Sequence, residues 1–158
     1  MTRFFSLFYV YLYINYPNMQ ILIGRNKEIK TIKEFYDSPK SEFIVVYGRR
    51  RVGKTFLVRQ IFNNNFAFQL TGIANVDKRR QLMNFHAELV KYNKTGLDLI
   101  PAKNWFSAFQ NLIIILEANK SNKKKVIFLD ELPWLANGTE FVPALEHFWN
   151  SMAVIRDD

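Results

Sequence analysis

The sequence predicts an α/β fold, three layers around a mostly parallel sheet, on three observations. An apolar run of strand length, Glu42 to Tyr47, leads directly into a glycine-bounded loop and then an amphipathic helical stretch. A second such run, Val126 to Leu129, ends in two consecutive acids, Asp130 and Glu131. Between the two, apolar residues recur at helical spacing, so strands alternate with helices as a parallel sheet requires. Neither run alternates apolar with polar residues, the pattern of strands covered on both faces.

Bulk properties set the limits. A chain of 158 residues with 49% hydrophobic and 16% aromatic content is one domain with a sizeable core. It has no cysteine, which excludes disulfides and thiolate metal sites and fits a cytoplasmic location. A net charge of +8 suits an anionic partner, and three of the cations sit inside the glycine-bounded loop. Lys123-Lys124-Lys125 reads as a solvated turn before a strand.

Taken in order, residues 1–18 form an apolar extension of doubtful status. Phe4 to Tyr16 is almost wholly apolar and aromatic, yet a membrane-crossing helix needs about 20 such residues. No small-x-small cleavage site follows, which argues against a signal peptide. The pattern of the domain begins just after Met19, and translation is expected to start there; an added packing or interfacial strand is the other reading. Gln20 to Ile23 leads into Gly24-Arg25, and Asn26 reads as the cap of a helix to about Tyr36 with Ile29, Ile32, Phe35 and Tyr36 inward. Asp37-Ser38-Pro39 ends it, and Glu42 to Tyr47 follows as the central strand.

The loop is Gly48-Arg49-Arg50-Arg51-Val52-Gly53-Lys54-Thr55, a complete G-x-x-x-x-G-K-[ST] match. Such a loop turns backbone N–H groups around nucleotide phosphates, its Lys reaches the outer phosphates, and its hydroxyl completes a Mg²⁺ shell. Gly48 to Thr55 and the adjoining Phe56 are therefore the expected ATP-binding set, with Lys54 also acting on the reacting phosphate and Thr55 on Mg²⁺. This places the chain in the P-loop NTPase fold, with the loop at a strand's C-terminal end, where open α/β sheets put their ligands.

Beyond the helix at Gly53 to Phe62, Phe66 to Leu70 is a second strand. Asn75 or Asp77 caps a helix to about Tyr92 with Leu82, Met83, Phe85, Leu89 and Val90 inward. His86 on that face reads as a core or rim histidine, since no partner ligand lies nearby. Asn104 caps a helix from Trp105 to about Asn119, with Phe106, Phe109, Ile113 and Leu116 inward. Thr139 to Met152 is a last amphipathic helix, with Phe141, Leu145, Phe148, Trp149 and Met152 on one side and His147 at the rim. Acids at the end of a buried strand are costly without a task. Beside a phosphate loop the task is defined: Asp130 holds the Mg²⁺ shell and Glu131 orients and deprotonates the attacking water.

Ile23-Gly24-Arg25-x-x-Glu28, the loop with its preceding Val46-Tyr47, and Ile127-Phe128-Leu129-Asp130-Glu131-Leu132-Pro133-Trp134-Leu135 together resemble the "ATPase domain predominantly from Archaea" family, a branch of the AAA+/STAND P-loop ATPases. The resemblance covers about Met19 to Trp149. It implies that Ile23, Gly24 and Arg25 line the adenine and ribose side of the pocket. It also implies a further strand with a polar sensor residue, lying between the loop strand and the Asp130 strand, then a helical lid and a C-terminal domain. No such segments follow Met152, so residues 19–158 are expected to be the N-terminal portion of a larger ATPase domain. Its sheet would be incomplete at the C-terminal side, with a gap or altered strand pairing. A nucleic-acid or protein partner would act through the missing domain; oligomeric state is open. A different reading is a basic nucleic-acid or protein-interaction module that retains the loop as a relic. A small-molecule kinase lacks an acceptor site and lid here.

Overall fold

The computed structural model describes residues 24–121 and 123–156. The readings of residues 1–18, of Gln20 to Ile23 as a lead-in and of Ile23 as a contact fall outside them. The described elements are α1 (Asn26–Tyr36), α2 (Lys54–Ile61), β1 (Phe68–Thr71), α3 (Lys78–Tyr92), α4 (Trp105–Ala118), β2 (Ile127–Asp130), the single turn α5 (Leu132–Leu135) and α6 (Phe141–Phe148), which runs into a wider π-type turn, Trp149–Ala153. The alternation of helices and strands is the α/β pattern expected, built on a parallel pair of strands.

β1 and β2 pair in parallel with Phe68 opposite Ile127 and Thr71 opposite Asp130. The core lies on one side of this pair, where α3, α4 and α6 pack. Its aromatic residues meet edge to face: Trp105 and Phe141 rings are 4.7 Å apart and Phe85 and Phe109 rings 5.6 Å apart. Each such pair adds roughly 0.5–1.5 kcal/mol beyond the area buried. Capping fixes where the helices begin: the Asp77 carboxylate accepts from the Arg80 N–H at 2.8 Å, and the Asn104 side-chain oxygen accepts from the Ser107 N–H at 2.8 Å. The Glu140 carboxylate accepts from the Trp105 N–H at 3.0 Å and pairs with Lys78 at 3.4 Å, tying the starts of α3, α4 and α6 together.

Several expectations are corrected. Asn26 is the first residue of α1 and not its cap; Arg25 holds that position in a left-handed conformation. On α3, Met83 and Val90 face solvent, and Gln81 joins Leu82, Phe85 and Leu89 inside. On α4, Phe106 is exposed and Ile113 half-buried, because Trp105, Ala108, Phe109, Leu112, Ile115 and Leu116 make the contact face. Both shifts have one cause: each helix offers more apolar positions than one face accommodates, and tertiary packing selects among them.

The largest correction concerns Glu42 to Tyr47. The segment takes no regular secondary structure and pairs with no described strand, and Val45 and Tyr47 are 62% and 90% exposed. The chain on either side of it is nonetheless tied to β2 or to the residues just before it. At the lower end the Lys124 ammonium donates to the carbonyls of Phe35, Ser38 and Lys40 at 3.2, 2.8 and 2.5 Å. At the upper end Thr55, just past the loop, meets Asp130. Between the ties lies a cleft of about 1370 Å³ bordered by 42–47, 126–131 and the α6 end of the chain. Of the gap or altered pairing anticipated, the described residues show a gap, and Ile127 to Asp130 are only half-buried along its rim.

Candidate nucleotide site

The site begins with backbone geometry. Gly48 at φ 147° and Gly53 at φ 79° take conformations that an L side chain resists, and they bracket the loop where the motif places them. Arg51 also turns left-handed, at φ 62°. The chain thereby curls into the start of α2, whose first N–H groups lack helical partners and whose dipole favours an anion. Lys54, the first helical residue, reaches back across the loop and donates to the carbonyls of Gly48 and Arg49 at 3.1 and 2.8 Å. Its ammonium thus stands inside the curve of the loop. Gly48, Arg50, Arg51, Gly53, Lys54, Thr55 and Phe56 border the cleft. Arg49 and Val52, exposed like Gly48, Arg50, Arg51 and Gly53, do not border the cleft.

One helical step on, the Thr55 hydroxyl donates to both Asp130 oxygens, at 3.2 and 3.0 Å. These residues are 75 positions apart, and β2 ends where this contact needs it. Asp130 also accepts from the Glu131 N–H at 3.0 Å. Glu131 then turns left-handed, at φ 52° and ψ 44°, which ends the strand and starts α5. Its exposed side chain borders the same cleft. Arg25, also left-handed, donates through its guanidinium to the Val52 carbonyl, so Gly24-Arg25 sits against the glycine-bounded loop.

The structure brings together the loop, Lys54, Thr55, Asp130 and Glu131 at one end of the cleft. Sequence reading missed two residues behind them. Gly72, buried after β1, donates its N–H to the Asp130 carbonyl at 3.0 Å, and a Cβ there would lie 2.7 Å from the Glu131 carbonyl oxygen. Gln81, a buried polar residue of α3, donates to the carbonyls of Ile73 at 2.7 Å and Trp134 at 3.1 Å and accepts from the Ile73 N–H at 3.2 Å. The available signal was a glutamine one turn before Phe85 on the helix face that turns inward.

The family model described as "ATPase domain predominantly from Archaea" matches residues 22–153, spanning this whole site. The chain belongs to that family. A protein of Methanocaldococcus jannaschii named as uncharacterized is 31% identical over 114 residues, which is 72% of this chain and 22% of the relative. The chain therefore spans about a fifth of that relative's length. A second protein of the same organism, named as an uncharacterized ATP-binding protein, is 34% identical over 44 residues, 28% of this chain and 75% of the relative. No solved structure gives a significant match. In this ATPase-family domain, no described helix is long and apolar enough to cross a membrane.

Proposed function

We propose that this chain is the ATP-binding P-loop module of an AAA+/STAND-type ATPase, hydrolysing ATP to ADP and phosphate in its intact form. The observation that carries the reading is the contact between Thr55 and Asp130 beside Lys54, from segments that only the fold brings together. A hydroxyl and a carboxylate are hard oxygen donors, and they suit Mg²⁺, which takes one or two protein oxygens and keeps water and phosphate for the rest. Bound there with ATP, the ion would neutralise charge on the phosphates. The chain's own residues supply the remainder. Loop N–H groups and the α2 terminus hold phosphate oxygens, and Lys54 exchanges its two carbonyl partners for them. Asp130 accepts from the Thr55 hydroxyl beside the ion's position, and Glu131 accepts the proton of the attacking water. Gly24 and Arg25, against the loop, belong to the nucleoside side of the pocket.

The reading is tested by Mg-ATP binding and turnover. Lys54→Ala should abolish tight Mg-ATP binding, and Glu131→Gln should retain binding while losing turnover. A wild-type chain whose melting temperature does not rise with Mg-ATP would overturn the reading as a competent binder. Affinity for nucleic acid falling linearly with salt on a log–log plot would favour the basic interaction module instead.

A further inference from the structure

Glu131 carries the proposed chemistry from a backbone conformation that an L residue adopts only under constraint. What constrains it lies on the other side of the sheet pair. The Trp134 N–H donates to the Glu131 carbonyl at 3.0 Å, closing the turn, and the Trp134 carbonyl accepts from the Gln81 side-chain amide at 3.1 Å. The same amide group pairs both ways with Ile73, so it also holds the segment just after β1. Between these anchors Gly72 packs directly on the turn, with its N–H on the Asp130 carbonyl and no room for a Cβ against the Glu131 carbonyl, Leu135 and Trp134.

We infer that Gln81 and Gly72 are positioning residues for Glu131: the buried amide and the bare backbone together hold the left-handed turn that aims its carboxylate into the cleft. This rests on the reading of Glu131 as the group that deprotonates water. Gln81 is 3% exposed, and a polar side chain is buried at that depth only when its hydrogen bonds are met. All three of its bonds go to the backbone of the two segments that enclose Glu131. An apolar residue would pack α3 equally well but would leave the Ile73 and Trp134 carbonyls unpaired.

The test uses the full chain with Gln81→Met, which keeps the volume, Gln81→Glu, which keeps the acceptor and removes the donor, and Gly72→Ala. Amide exchange is read at Trp134 and Gly72, with Leu112 in the core as reference. Turnover is read as kcat against KM for ATP. Each variant should speed exchange at the two amides about tenfold more than at Leu112, whose exchange follows any change in global stability. Each should also lower kcat roughly 10- to 100-fold with KM within about twofold, since displacement of a reacting group by about 1 Å is sufficient for that loss. Unchanged exchange at Trp134 and Gly72 overturns the inference. So does an equal acceleration at Leu112, which would make Gln81 a general packing residue. Faster exchange with undiminished kcat in an active enzyme overturns the link to chemistry. If the wild type binds Mg-ATP but never turns it over, the hydrolytic reading fails and the catalytic role of Gln81 falls with it, while the exchange data still report separately whether Gln81 holds the turn.

Discussion

At Glu131 and Gly72 backbone geometry bears on stability, and on the proposed reading the Glu131 side chain bears on activity as well. A left-handed conformation costs an L residue roughly 1–2 kcal/mol, and glycine escapes that cost at a smaller entropic one of roughly 0.5–1 kcal/mol. Glu131→Gly should therefore stabilise the fold by about 0.5–1 kcal/mol in urea denaturation while eliminating turnover. Loss of stability in that variant would show that the carboxylate, and not the backbone, dominates at this position. Gly72→Ala runs the opposite way. Its Cβ would lie 2.7 Å from a backbone oxygen that cannot swing aside, and overpacking of this kind costs about 1–3 kcal/mol. The loop's geometry was legible because the left-handed Gly48 and Gly53 and the helix start at Lys54 are local features that a short motif encodes. Gly72 was not, because its constraint is a neighbour from another strand.

The helices were readable for a related reason and misread for another. Asp77 and Asn104 cap α3 and α4 as their positions suggest, since a cap is satisfied within three residues of itself. Asp77→Ala should cost about 1 kcal/mol, measured as a fall in the urea midpoint at unchanged slope. Which apolar side chains face inward depends on the partner surface. Met83 and Val90 are inside by periodicity and outside in the fold, with Gln81 taking the inner position. Met83→Gln should accordingly change stability by less than about 0.5 kcal/mol, whereas Leu89→Ala, truncating a side chain that is 1% exposed, should cost about 2–5 kcal/mol. Equal losses for the two would place Met83 back in the core.

A strand is a relation between segments, which is why the reading of Glu42 to Tyr47 was half right. Its place directly before the glycine-bounded loop followed from the sequence; its burial did not, because burial requires a neighbour on each side. Here the flanking chain is held on both sides, by Lys124 below and by the Thr55 contact above, and the segment pairs with no described strand between. The consequence is an apolar opening in the middle of the molecule, with Phe43, Ile44, Val45 and Tyr47 exposed along one rim and the half-buried β2 along the other. Phe43 is covered in part by Trp149, whose ring lies 5.3 Å away, so the opening is walled by the end of α6 as well. Unpaired apolar strand edges are templates for pairing with another chain. The isolated chain should therefore associate with itself as its concentration rises, giving a sedimentation coefficient that climbs with loading and a hydrophobic-dye signal in the folded state. Val45→Lys places a charge on the exposed rim of this opening without touching the phosphate loop. It should shift the chain toward monomer and lower the dye signal, with Mg-ATP affinity within about twofold of wild type. Self-association unaltered by the lysine would assign the contact to a different surface.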